Sequence, residues 1–325
     1  MNTQTIKADI LLLTTAILWG FGFVAQKAGM EHVGPFTYNG LRFALGSLCL
    51  LPVVLFTNGR KPAKSAATQK TEGRTLFWGG GLLGLILFSG VSLQQLGLMT
   101  TTAGKAGFIT GLYVVMVPLL GLFWRQKVQL GTWIGAILAV AGLYLLSITR
   151  EFTISTGDLL VLVGAVFWAM HVLFVGWLSP RVDALKLALF QYTACSLLSL
   201  LTALAIETFS LPAIIAATIP ILYGGGVSVG IAYTLQVVAQ RHAPAAHAAI
   251  LLSLETAFAA LGGWLLLQET LSARALLGCT LMLAGMLCSQ LSTYIFRGRK
   301  ARSVGAYAPT AACREPEASM SRSEN

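Results

Sequence analysis

The chain has 325 residues, of which 56% are hydrophobic and only 10% charged, with a formal net charge of +10. A soluble domain carries about 25% charged residues, so these proportions exclude a soluble globular protein of this size. The cations sit in short connections and toward the C-terminus, not on a basic helix or an aromatic-interleaved patch, which argues against nucleic acid and suits anionic lipid headgroups.

Apolar runs of the roughly 20 residues needed to cross a bilayer fall, in chain order, at 8–28, 36–57, 75–97, 104–124, 130–149, 158–178, 185–206, 217–239, 245–267 and 274–296. The first run is uncharged from 10 to 26, long for a signal-peptide core, and no small-residue cleavage site follows it. It is therefore read as a retained helix. The uncharged stretches 75–104 and 208–240 exceed one span, so each is given one helix and the excess goes to loops. The connections are short except 58–74, which is rich in Lys, Thr and Ala, and the segment 297–325 is expected to be a disordered cytoplasmic tail. Backbone in hydrocarbon must be helix or closed barrel, and runs this continuous are helices. The fold class is thus an all-α membrane protein of ten transmembrane helices.

With the N-terminus inside, 17 Lys and Arg fall on the inner side and four on the outer, Lys27, Lys105, Arg150 and Arg274, while Arg42 lies within a span. That asymmetry places both termini in the cytoplasm. Cys49, Cys195, Cys279 and Cys288 lie in apolar runs, Cys313 lies in the tail, and the absence of CxxC spacing reads them as packing residues.

The two halves repeat each other. Asp9-Ile-Leu-Leu-Leu leads to Trp19 and Asp158-Leu-Leu-Val-Leu leads to Trp168, at a constant offset of 149 that also pairs Arg42 with Gln191. Leu76-Phe-Trp-Gly-Gly-Gly81 matches Leu222-Tyr-Gly-Gly-Gly226, Ser92-Leu93-Gln94 matches Thr234-Leu235-Gln236, and Ala141-Gly142 matches Ala284-Gly285. The repeats run over 1–149 and 150–296 with five helices each, an odd number, so the second enters the membrane from the opposite side. Inverted repeats permit two nearly equivalent packings, one open to each side, which is a transporter architecture.

The stretch His242-Ala-Pro-Ala-Ala-His-Ala-Ala-Ile-Leu-Leu-Ser-Leu-Glu255-Thr-Ala-Phe-Ala-Ala, continuing to Leu267-Gln-Glu-Thr-Leu-Ser272 and Leu283-Ala-Gly285, resembles the EamA domains of the drug/metabolite transporter superfamily. Its first-half counterpart is Ala103-Gly-Lys105-Ala-Gly-Phe-Ile-Thr-Gly-Leu-Tyr-Val-Val-Met-Val-Pro118-Leu-Leu-Gly121, and Leu41-Arg42-Phe43 also fits. The resemblance covers about residues 8 to 296. It implies ten helices and secondary transport of amino acids, other metabolites or toxic compounds, without fixing the substrate. Thr256 stands where the family usually has proline, which puts a proline kink in the ninth helix in question.

Charge inside a span costs roughly 2.5–3.5 kcal/mol on insertion scales, so each such residue needs a partner or a wet cavity. Glu255 sits about one 1.5 Å rise from the midpoint of the ninth span, with Ala248, Leu252, Ala259 and Gly262 on its face. It is read as a midplane site for a substrate amine or a proton, the alternative being a structural pair. Tyr113 is its repeat mate and is placed at similar depth. Arg42 is read as structural or gating, free to snorkel or to pair with Glu255 or a carbonyl. Lys105 and its mate His247 lie near opposite mouths, where they would steer anions or simply snorkel.

Trp19, Phe23 and Gln26 share one helix side, and Trp168 and His171 another, as candidate cavity walls. The third and eighth helices carry glycine stripes that end in Gln94 and Gln236. Neither triple glycine runs on into GK[ST], so no phosphate loop forms. Walker and HExxH motifs are missing, and His32, His171, His242 and His247 lack zinc-ligand spacing. No cofactor, no metal and no enzymatic activity are expected.

The reading is a secondary transporter, an exporter of a small metabolite or amino acid, working by alternating access from the plasma membrane (a bacterial inner membrane). Helices 1, 3, 4, 6, 8 and 9 are expected to line its central cavity. Its partners are a small-molecule solute and membrane lipid; proton coupling and homo-oligomer formation stay open. The rival is a membrane scaffold or regulatory subunit that moves nothing.

Overall fold

A computed structural model describes residues 3–58, 66–122, 130–147, 154–270 and most of 272–288. The expected tail and residues 59–65 of the 58–74 connection lie outside the described residues. Eight described helices are long and apolar enough to cross a membrane, and two shorter apolar helices, Trp133–Gly142 and Leu276–Gly285, lie within the expected fifth and tenth spans. Among the described residues the regular structure is helical.

The helices are α1 (Thr3–Gly29), α2 (Pro35–Asn58), α3 (Ala66–Leu98), α4 (Ala103–Gly111), α5 (Tyr113–Gly121), α6 (Leu130–Ser147), α7 (Thr156–Leu178), α8 (Ala184–Ile206), α9 (Leu211–Ala216) and α10 (Thr218–Leu222). A π-helical segment (Tyr223–Tyr233) follows, then α11 (Thr234–Ala239), α12 (Ala245–Leu252) and α13 (Glu255–Leu267). Several starts have side-chain caps of the expected kind: Thr102 accepts from Lys105 N, Ser155 from Asp158 N, and Asp183 from Leu185 N and Lys186 N. Two carboxylates reach across the fold to cap other helices, where the dipole favours negative charge. Glu207 accepts from Phe36 N and Thr37 N, both at 2.8 Å, and Glu269 from Ala103 N (2.8 Å) and Gly104 N (3.1 Å).

Three differences from the sequence reading have physical causes. α3 begins at Ala66, nine residues before the expected 75, because its polar first turns carry good helix formers that an apolar criterion ignores. The excess before the eighth span is not all loop: Leu211–Ala216 is helical, with Pro212 in the first turn where a missing N–H costs nothing. The expected eighth helix is not a plain α-helix but contains 11 residues of π-helix.

Helix packing exchanges partners between the halves. α1 packs on α13 as α7 packs on α4 and α5; α3 packs on α7 as the π segment and α11 pack on α1; α8 packs on α3 as the π segment packs on α2. α2 and α8 pack on each other, as do α4 and α13. Gly107 permits the α4–α13 crossing, since a Cβ there would stand 2.5 Å from Ala259 Cβ. The outer faces are apolar: Trp78 is 68% exposed, Leu204 68% and Ile219 80%. Water would not stabilise such faces, whereas hydrocarbon does.

Candidate functional site

At the centre of the bundle a narrow cavity of about 20 Å³, room for about one water, is lined by Trp19, Phe23 and Gln26 of α1, Arg42 of α2, Gln94 of α3 and Thr110 of α4. Tyr113 of α5, Trp168 and Val172 of α7, Ser228 and Tyr233 of the π segment, Gln236 of α11 and Glu255 of α13 complete the wall. Residues from both sequence repeats thus face one space. The expected wall did not include the second helix, and Arg42 adds it.

Glu255 is 4% exposed and forms no ion pair among the described residues. It opens α13 just after an interruption at Ser253–Leu254. The interruption exists with Thr256 in place of proline: Leu254 N, Thr256 N and Ala257 N bond to carbonyls three residues back, a tight 3₁₀-like turn that breaks the α register. Tyr113, its repeat mate, likewise opens α5 after an interruption at Leu112. The Tyr113 hydroxyl is buried beside the Glu255 carboxyl without a hydrogen bond of good geometry. Discontinuous helices that meet at the middle of a membrane put half-helix ends next to a ligand space. Gly20 of α1 allows this part of α13 to approach, because a Cβ there would lie 2.3 Å from Phe258 Cβ and 2.9 Å from Glu255 O.

Gln94 ties four helices together. Its Nε2 donates to Gln26 Oε1 (3.0 Å), and its Oε1 accepts from Trp168 Nε1 (2.9 Å) and from Thr110 Oγ1 (3.4 Å). Gln236 instead donates to Gln240 Oε1 (3.0 Å), which leaves its own Oε1 buried without a partner. Trp19 Nε1 donates to Ser228 O at 3.3 Å. The rings of the wall cluster on Tyr233, whose centroid lies 4.4 Å from that of Trp19, 6.0 Å from Trp168 and 5.8 Å from Phe43.

Two sequence candidates lie elsewhere. His171 sits behind the aromatic wall, its Nε2 2.8 Å from Gln191 Oε1 and its ring edge-on to Trp168 and Tyr233. Lys105 is engaged at the helix ends: its Nζ is 2.7 Å from Asp158 Oδ2, while Thr101 Oγ1 donates to the other carboxylate oxygen at 2.6 Å. The repeat mates of that pair also meet, His247 Nε2 lying 2.7 Å from Asp9 Oδ1. Sequence reasoning left Tyr233, Ser228, Val172 and Thr110 out of the candidate site. Tyr233 lies on the glycine stripe with Gln236, a signal that was available, whereas Ser228, Val172 and Thr110 carry none.

Comparison with known proteins agrees with this architecture. A crystal structure aligns with a TM-score of 0.66 at 18% identity, covering 87% of this chain and 97% of that one, so the two share a fold. An uncharacterized transporter of Archaeoglobus fulgidus is 30% identical over 292 residues, 89% of this chain and 88% of its own length. A probable amino-acid metabolite efflux pump of Salmonella typhimurium is 26% identical over 317 residues, 92% of this chain and 98% of that protein. The model of the EamA-like transporter family matches twice, over residues 6–148 and 155–290, one match on each sequence repeat. With its apolar helices and paired matches, this multi-pass membrane chain belongs to the EamA-like transporter family.

Proposed function

We propose that the chain is a secondary transporter that exports a small metabolite or amino acid by alternating access through the central cavity. The observation that carries the proposal is Glu255, a buried carboxyl without an ion pair among the described residues, at a helix interruption in the cavity wall. A lone charge at this depth is costly, and a solute amine or a proton would offset that cost. The aromatic wall of Trp19, Trp168 and Tyr233 suits the apolar part of an amphiphilic solute. The printed name of the Salmonella relative points to the same substrate class.

In this reading the inverted halves, 1–149 and 150–296, together enclose the cavity, which opens alternately to either side of the bacterial inner membrane, with both termini in the cytoplasm. The test is efflux from liposomes that hold the purified protein, loaded with amino acids and central metabolites and followed by mass spectrometry. Selective loss of a few compounds is expected, and Glu255→Ala should slow it by at least about tenfold, one lost charge-assisted contact. No efflux above protein-free liposomes, with and without a pH gradient, would move the reading to a non-transporting scaffold. Unchanged efflux with Glu255→Ala would remove that residue from the pathway.

A further inference from the structure

Arg42 lies seven residues into α2, about 10 Å along its axis, and is 2% exposed. A guanidinium stays charged in proteins, so its surroundings must hold it. Its Nε donates to Asn39 Oδ1 at 3.0 Å, and Asn39 is itself fixed by donating to Val91 O at 3.3 Å. Its carbon stands 5.0 Å from the Phe43 ring centroid and 5.5 Å from that of Tyr38, close enough for cation–π attraction. Gly224 makes room for the stem, since a Cβ there would meet Arg42 Cδ at 3.3 Å and Tyr38 Oη at 2.7 Å.

These contacts position the side chain and leave its fork incomplete. Nη2 is buried with no hydrogen-bond partner. Arg42 lines the same cavity as Glu255, yet the two form no ion pair. Tyr233 stands within electrostatic reach of both. One cavity thus presents a fixed cation with a free donor and, apart from it, a buried carboxyl without a cation.

We infer that Arg42 is the anion-binding residue of the central cavity, and that with Glu255 it selects a zwitterionic solute, carboxylate on Arg42 and ammonium at Glu255. The inference rests on the transporter reading and deepens it. A carboxylate matches the planar donor fork of arginine, and it neutralises a charge that no described side chain neutralises.

The test uses the purified full-length protein and two matched probe sets: leucine, isoamylamine and 4-methylpentanoate; phenylalanine, phenethylamine and 3-phenylpropanoate. Binding is measured by calorimetry in detergent, and transport separately in liposomes. The amino acid of at least one set should bind about 10- to 100-fold more tightly than its amine and its acid. Arg42→Gln should bring the amino acid down to the level of the amine and leave the amine unchanged, with Arg42→Lys between. If Arg42→Gln does not fold, the wild-type ranking decides alone. Equal binding of amine and amino acid, or a preference that survives Arg42→Gln, overturns the inference while the transporter reading stands if metabolites still leave the liposomes. Absence of any bound or transported solute from the wild-type protein overturns both.

Discussion

Lys105 shows how a single residue divides between two readings. Its position near a mouth suggested steering of anions, but in the structure it is held by Asp158, whose side chain is fully buried. Removing the cation leaves that carboxylate buried with only Thr101 and the start of α7 to hold it. Lys105→Met should therefore destabilise the protein by about 3 kcal/mol, read as a lower melting temperature in detergent. Adding Asp158→Asn should recover most of the loss, because no uncompensated charge then remains. A steering residue would instead change apparent affinity for solute and leave the melting temperature alone. The pair itself could not be read from the sequence. A repeat offset matches Lys105 to His247 and Asp158 to Asp9, but says nothing about which residues meet across helices. The place of Glu255 along its helix and the matching of Trp19 with Trp168 were legible, because apolar runs and a constant offset fix position along a helix.

Helix interruptions and close crossings form the next scale. α1 touches α13 at Gly20, where a Cβ would be 2.3 Å from Phe258 Cβ and 2.9 Å from backbone atoms. Gly81 of α3, by contrast, has nothing within 4 Å of a Cβ. Gly20→Ala should therefore cost stability by at least about 1 kcal/mol, as overpacking does. Gly81→Ala should be neutral or raise stability by up to about 1 kcal/mol through helix propensity. Melting curves of the two variants in the same detergent check the contrast, and equal effects would refute the crossing as described. The contrast between Gly20 and Gly81 could not be read from the sequence, since it depends on the neighbour that tertiary packing supplies. The π segment was invisible for a related reason: a change of backbone register over Tyr223–Tyr233 leaves no periodic trace in side-chain chemistry. The interruption before Glu255 was doubted for want of a proline and is present nonetheless, formed by 3₁₀-like bonds.

For the whole molecule, the exchange of helix partners between the halves explains why one cavity is lined from both. The α2–α8 contact, between repeat mates, and the α4–α13 contact, between parts of the matched fourth and ninth spans, flank it. In the proposed cycle these contacts shift while the groups α1, α2, π segment, α11 and α13, and α3, α4, α7 and α8, move as units. The central claim is that this cavity is a passage through the membrane. It is tested most directly with Ser228→Cys and Thr110→Cys, each in a background with the native cysteines removed. Labelling would use a charged, membrane-impermeant maleimide on right-side-out and on inside-out vesicles. Reaction from both sides, reduced by the transported solute, is the result expected of alternating access. Folded protein that stays unreactive at both positions from both sides would contradict it and leave the cavity as sealed packing.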